Sequence, residues 1–302
     1  MKNVVEEIEV LKKERDAVIL SHFYTQEGIQ NISDYVGDSY YLSKLAKDLP
    51  QQTIVFCGVS FMAESAKILC PEKTVLMPDL TADCPMAHMA TREKIKAARQ
   101  AYEDLAVVCY INSSSDIKQD VDVCVTSSNA LRIVEKLPQK NIYFIPDQNL
   151  GAYLASQIPD KHFILNDGFC HVHQDFSVAE LKKAQEKNPN AKVLAHPEAP
   201  MEVLSMADYI GSTGGIIDYA TASADTAFIV LTEEGILTKL KRNNPKKAFF
   251  TTRNEQICPD MKKITLDKIK TVLEKDFIGV QVEDQVRAGA VKALDRMLEL
   301  SK

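Results

Sequence analysis

Three cysteines stand in loops that each follow a short apolar run: Cys84 after TVLMPDLTAD, Cys170 after HFILNDGF and Cys258 after AFFTTRNEQI. They are spaced by 86 and 88 residues, so each occupies nearly the same place in a repeating pattern, which unrelated free thiols have no reason to do. Three thiolates with no fourth nearby suit zinc with one open position, or a [4Fe–4S] cluster with one iron free of protein ligation; a disulfide with one spare thiol is the third reading. Zinc sites commonly draw two ligands from one tight C-x2–4-C turn, which is absent here, and this favours the cluster. An iron without a thiolate is a Lewis acid that can polarise a substrate hydroxyl or carboxylate and assist loss of water. Of the remaining cysteines, Cys57, Cys109 and Cys124 sit inside apolar runs and Cys70 ends a helix, places for small inert core residues.

Acid, base and hydrogen-bonding groups recur with the same spacing. VILSHFY, VVCYIN and VLAHPE each end in a polar pair two residues apart: His22 and Tyr24, Tyr110 and Asn112, His196 and Glu198. A second landmark places Ser39, Ser127 and Thr213 where a strand turns into a helix, as the N-cap or first-turn residue. Hydroxyls beside free backbone N–H groups at helix starts favour anions, and three facing one cavity suit several carboxylates or a phosphate. The run Gly211-Ser-Thr-Gly-Gly215 permits close backbone approach but matches neither a Walker nor a dinucleotide fingerprint. His173, close to Cys170, joins His22 and His196 as a third histidine in a repeat-related or cysteine-adjacent place.

The elements that must position these groups follow from the same offsets. Each unit reads β-α-β-α-β-α-β, with strands that are near-continuous apolar runs, so each is a parallel four-stranded sheet covered by helices on both faces. The fold class is α/β: three repeats related by a pseudo-three-fold axis around a central site, spanning 1–87, 88–174 and 175–281. Ser177 with Glu180, Thr91 and Thr265 are expected helix N-caps. The amphipathic stretch within 282–302 is expected to pack on the first unit and close the ring. Ligands of such sheets bind outside the carboxyl ends of the strands, where the polar pairs and Ser39, Ser127 and Thr213 all lie.

The 302 residues carry a net charge of −6 with 45% hydrophobic residues, which argues against a general nucleic-acid or membrane-surface binder. The N-terminus reads as an amphipathic helix rather than a signal peptide, and no apolar run approaches the roughly 20 residues of a membrane span. A cytoplasmic protein is expected, in which an odd set of seven cysteines argues against a full disulfide framework and gives weight to metal or catalytic use.

Together ILSHFY, YVGDSYYLSKLA, MPDLTADCPMA, VCYINSS, CVTSSNA, FIPDQNLG, GFCHVH, AHPEAP and GSTGG span nearly the whole chain, and the sequence resembles the quinolinate synthase family of NAD biosynthesis. The resemblance implies one [4Fe–4S] cluster per chain on Cys84, Cys170 and Cys258. It implies condensation of iminoaspartate with dihydroxyacetone phosphate to quinolinate, with release of phosphate and two waters. Tyr24 and Glu198 are implied as acid/base residues, with His22, Tyr110 and His173 also catalytic. His22, Ser39, Tyr110, Asn112, Ser127, His196, Glu198 and Thr213 are implied to bind substrate, and His173 ranks above His171 on this ground. A transient contact with the enzyme that makes iminoaspartate fits the same picture. Some family members carry C-x-x-C-x-x-C at the third cysteine; here it reads Cys258-Pro-Asp-Met261, so a disulfide switch between extra cysteines is not available. Two competing readings are a cluster or zinc hydro-lyase acting on a small hydroxy acid, and a non-catalytic iron–sulfur sensor.

Overall fold

A computed structural model describes residues 2–253, 255–275 and 279–302. Its strands are β1 (Ala17–His22), β2 (Tyr35–Gly37), β3 (Thr53–Cys57) and β4 (Thr74–Leu76), then β5 (Leu105–Tyr110), β6 (Val123–Val125), β7 (Asn141–Ile145) and β8 (His162–Leu165), then β9 (Lys192–Ala195), β10 (Tyr209–Ile210), β11 (Ala227–Leu231) and β12 (Ala248–Phe250). They form three four-stranded sheets of identical order, β2-β1-β3-β4, β6-β5-β7-β8 and β10-β9-β11-β12. All pairings within them are parallel. The α/β architecture with three equivalent sheets is that expected from the offsets. In each sheet the strand order reverses between the first and third strands, which is where a ligand crevice opens at the carboxyl ends.

The repeat extends to polar side chains that carry no chemistry. Asp34, Asp122 and Asp208 each precede the second strand of a unit. Each accepts the first-strand N–H of Ile19, Val107 or Val193, at 2.8, 2.7 and 2.8 Å. Lys73, Lys161 and Lys247 each precede the fourth strand and donate to carbonyls at the carboxyl end of a helix. Lys73 reaches Ala46 O and Leu49 O, Lys161 reaches Leu137 O and Gln139 O, and Lys247 reaches Ala220 O and Ser223 O. A cation there satisfies orphan carbonyls and opposes the negative end of the helix dipole. Lys73 is the most buried of the three. Lys73→Met should therefore cost about 1–3 kcal/mol, because buried carbonyls lose their donor. A lowered urea midpoint with unchanged slope checks this, and an unshifted midpoint refutes it.

The expected caps form: the side chains of Thr91, Ser177 and Thr265 accept from Lys94 N, Glu180 N and Lys268 N. The first two units share one continuous apolar core, whereas the third sheet has a separate cluster on each face. Val193, Ala195, Ile229 and Leu231 point one way and Leu194, Phe228 and Val230 the other, as strand alternation requires.

The terminal helix Asp284–Leu300 was expected on the first unit. It lies chiefly on the second, against β6 and the helices Ser115–Lys118 and Ala130–Lys136, with helix Ser60–Leu69 of the first unit on its flank. Its end is fastened by Asn129 Nδ2 to Ser301 Oγ (3.0 Å) and Lys136 Nζ to Leu300 O (2.7 Å). Gly289 sets the close approach, since a Cβ there would stand 2.7 Å from the Gln119 side chain. Among the described residues, no helix is long and apolar enough to cross a membrane.

Candidate active site

The carboxyl ends of the three sheets surround one cavity. The strand-end groups His22, Tyr24, Tyr110, Asn112, His196 and Glu198 line it. So do Ser39, Ser127, Thr213, His173 and the thiol-bearing Cys84, Cys170 and Cys258. Cys57, Cys70, Cys109 and Cys124 are free thiols buried in the core and do not line it.

The helix starts differ in how they present their hydroxyls. Asp38 caps helix Ser39–Asp48 by accepting Tyr41 N–H at 2.9 Å, and Ser212 caps helix Thr213–Ala222 by accepting Gly215 N–H at 3.1 Å. Because the preceding residue does the capping, Ser39 and Thr213 occupy the first helical position, and the Thr213 hydroxyl bonds Tyr24 Oη at 2.9 Å. Ser127 stands instead in the turn ahead of helix Ala130–Lys136, with its Oγ 3.2 Å from His196 Nε2.

At two strand ends the same tight turn recurs: Tyr24 N–H donates to His22 Nδ1 (3.2 Å) and Glu198 N–H to His196 Nδ1 (3.4 Å). With Nδ1 accepting, Nε2 carries the proton in both rings, so each offers one N–H as a neutral donor. Burial, and then the neighbouring His196, pull the His22 pKa down to about 3. Burial likewise brings His196 down to about 3. Both rings are uncharged at neutral pH.

Glu198 is the centre of the polar network. It is only 3% exposed, and its two carboxylate oxygens accept from Tyr110 Oη (2.6 Å) and from His173 Nδ1 (2.8 Å). Burial alone would push this carboxyl up, but His173, His196 and the hydrogen bonds from His173 and Tyr110 hold it well below the ordinary range. The same charge acts in reverse on the phenols: burial, then Glu198, push Tyr24 and Tyr110 well above the usual tyrosine value. The site thus holds a carboxylate kept ionised beside two phenols kept protonated.

Each of the three cysteines opens a helical turn. Its carbonyl accepts from three or four residues on: Ala87 N to Cys84 O (2.9 Å), Gln174 N to Cys170 O (2.8 Å) and Lys262 N to Cys258 O (3.3 Å). The loops are stapled to one another. Glu233 accepts Cys258 N–H (3.2 Å) and pairs with Lys262 (2.7 Å), which also donates to Tyr24 O (2.8 Å). Asp260 accepts Asp83 N–H (3.3 Å), and Lys268 pairs with Asp79 (2.5 Å), joining the Cys258 loop to the Cys84 loop. Arg253 donates to Val172 O (2.8 Å), joining it to the Cys170 loop.

Burial raises all three thiols, Cys258 to about 11 and Cys84 and Cys170 in the same direction. Proximity contributes, because Cys258 raises Cys84 and Cys84 raises Cys170. Three half-buried, converging thiols with raised pKa values ionise around a cation, and an all-sulfur donor set is one that iron–sulfur clusters use. Cys170 Sγ, His173 and Glu198 form a second set of donor atoms within 4.8 Å that could hold a metal. Both nitrogens of His173 and both oxygens of Glu198 already have protein partners, so this second set has less to give.

Thr232 and Glu233 were not anticipated. They directly follow β11, the third strand of its unit, beside the point where strand order reverses. The rule for open parallel sheets points to that position, whereas the landmarks above used only the ends of the first, second and fourth strands.

Known proteins with related sequences accord with this geometry. The family model described as quinolinate synthetase A protein matches residues 6–299. The quinolinate synthase of Clostridioides difficile is 48% identical over 301 residues, covering 100% of this chain and 99% of its own. That of Fusobacterium nucleatum is 49% identical over 294 residues, 97% of this chain and 98% of its own. A protein named quinolinate synthase 2 from Methanosarcina acetivorans is 46% identical over 298 residues, 99% of this chain and 96% of its own. A match of this extent, over a chain whose three repeats bring their cysteines and acid/base groups to one cavity, means that the protein belongs to the quinolinate synthetase A protein family.

Proposed function

We propose that the chain condenses iminoaspartate with dihydroxyacetone phosphate to give quinolinate, phosphate and two waters. The observation that carries this reading is the meeting of three thiols, one ionised carboxylate and two protonated phenols in a single cavity of a chain of this family. Cys84, Cys170 and Cys258 would hold a [4Fe–4S] cluster. When bound, it supplies an open iron, a Lewis acid that assists departure of a hydroxyl as water.

The chain's own residues account for the rest. Anionic groups of the substrates would lie against Ser39, Ser127 and Thr213 near the helix starts, where N–H groups and dipoles favour negative charge. His22 and His196 would add neutral N–H donors. The buried oxygens Asn112 Oδ1 and Thr126 Oγ1 have no hydrogen-bond partner among the described residues, which suits a polar ligand at the second unit's edge of the cavity. Glu198 would take a proton from the condensing carbon or nitrogen, with Tyr110 and His173 holding its oxygens in place. Tyr24 would exchange a proton with a substrate oxygen.

Iron and acid-labile sulfide content of anaerobically purified protein, with quinolinate formation measured in the same tube, tests this. Four irons, four sulfides and product are expected. A full cluster without product would sink the synthase reading and favour a hydro-lyase or sensor. Zinc in place of iron would overturn the cluster.

A further inference from the structure

We infer that Lys118, buried behind the cavity wall, supplies the positive charge that holds an anionic group of the substrate, a carboxylate or a phosphate, in the second unit's part of the cavity. The inference rests on the proposed synthase reading, in which both substrates are anions. Among the described residues, no lysine or arginine lines the cavity, whereas Asp38, Glu198 and Glu233 do. His22 and His196 are uncharged at neutral pH, and the helix starts offer only partial charges. A full positive charge for the anions has to stand behind the lining.

Lys262, which donates to Tyr24 O, is already matched by the Glu233 carboxylate at 2.7 Å. Lys118 differs: it is fully buried and, among the described residues, forms no ion pair. Its Nζ donates to Ser113 O at 2.5 Å and stands 5.5 Å from the centre of the Phe61 ring. Phe61 lines the cavity, and so does Asn112, next to Ser113 on the turn that Lys118 grips. The other groups facing the ammonium are Glu64 on helix Ser60–Leu69, Cys109 on β5 and Cys124 on β6; the terminal helix adds none. Glu64 is engaged by Ser115 N–H at 2.9 Å, and the two thiols hydrogen-bond each other. Burial lowers the Lys118 pKa, as befits a cation short of a counter-charge, and an anion in the cavity provides one.

The hydrogen bond alone does not call for a lysine. The repeat offsets place Gln30 and Leu204 where Lys118 stands, and Thr25 and Ala199 where Ser113 stands. In the first unit the neutral Gln30 Nε2 donates to Thr25 O at 3.0 Å, and in the third a buried leucine has no donor to offer. The same turn is thus built with a neutral amide or with no donor. Of these three positions, only the second unit's carries an ammonium, whose desolvation the hydrogen bond does not require.

Lys118→Gln keeps a donor, in the form the first unit already uses, and removes the charge; Lys118→Met removes both. Holoenzyme is titrated calorimetrically with sulfate, a stand-in for phosphate that keeps its charge across the pH range, and with succinate, a dicarboxylate. One charge acting over about 9 Å at an effective dielectric of about 20 changes anion affinity by about 20-fold. At least about ten-fold weaker binding of one of the two ions is expected for both variants near neutral pH, and the ion affected names the group held. KM for the matching substrate should rise by a similar factor, with kcat within about two-fold and iron and sulfide unchanged. The gap between wild type and Lys118→Gln should narrow as pH rises toward the ordinary lysine value of 10.5, because a neutral amine attracts no anion. Lys118→Gln binding both ions as tightly as wild type, wild type binding neither, a gap of constant width, or a fall in kcat with KM unchanged would each overturn the proposal. Should Lys118→Met fail to fold, Lys118→Gln decides alone. The titrations need no turnover, so wild type that binds the ions but forms no quinolinate sinks the synthase reading and leaves the charge at Lys118 standing.

Discussion

Cys170→Ser should yield a folded protein that does not retain iron. A serine hydroxyl at this half-buried position does not ionise to a ligand, and loss of a mere outer partner of a metal site already costs about 10–100-fold in affinity. Losing the ligand itself should cost more, leaving well under one iron per chain after desalting. The fold should survive because the loops are held by groups other than the thiols: Glu233 with Lys262, Asp79 with Lys268, and Arg253 with the Val172 carbonyl. Far-ultraviolet dichroism should therefore match wild type while the visible absorbance of the cluster disappears. Cys84→Ser and Cys258→Ser should behave alike. Cys57→Ala and Cys124→Ala are the controls, retaining full iron at a core-packing cost of about 1–2 kcal/mol. Full iron and sulfide in Cys170→Ser would remove that thiol from the ligand set. Loss of metal in His173→Asn, with Cys84→Ser fully loaded, would shift the site to Cys170, His173 and Glu198.

The repeat made both the architecture and the cavity legible, because equal offsets put equal positions at equal ends of equal sheets. The same offsets also carried Asp34, Asp122 and Asp208, and Lys73, Lys161 and Lys247, but an aspartate or lysine near a strand reads as solvated surface until its partner is seen. Ser39, Ser127 and Thr213 read alike in sequence yet sit differently, since capping falls to Asp38 and Ser212 in two units while the second begins its helix later. The terminal helix shows what periodicity leaves open. An amphipathic pattern establishes that one face is buried, not what it is buried against. Here the small residue Gly289 and the polar partners Asn129 and Lys136 decide the seat. Thr232 escaped notice because its offset partners, Gly58 and Pro146, cannot mark a hydroxyl position.

Glu198→Gln should keep the fold and the iron yet lower kcat by about 10²–10⁴-fold, the range general acid–base groups contribute. The substitution is nearly isosteric, but Glu198 now accepts from two donors, Tyr110 O–H and His173 Nδ1–H. A glutamine amide has one oxygen to offer them and turns its NH2 toward the other, so two donors face each other. The least costly escape is for His173 to move its proton to Nε2, which sets that ring against the Thr232 hydroxyl and loosens Tyr24 in turn. One atom's change thus reaches both acid/base groups. A pH signature should accompany it. Because the folded carboxyl lies below its ordinary value near 4.5, Glu198 contributes stability that is present above that value and is lost as pH falls through the lower folded one. Wild type should therefore lose stability on acidification more steeply than Glu198→Gln, measured as urea midpoints on both proteins below pH about 4.5. A glutamine variant with normal turnover and full iron would refute the assigned role. One that is inactive but equally steep on acidification would keep catalysis at Glu198 while denying that its carboxylate is held ionised by His173 and Tyr110.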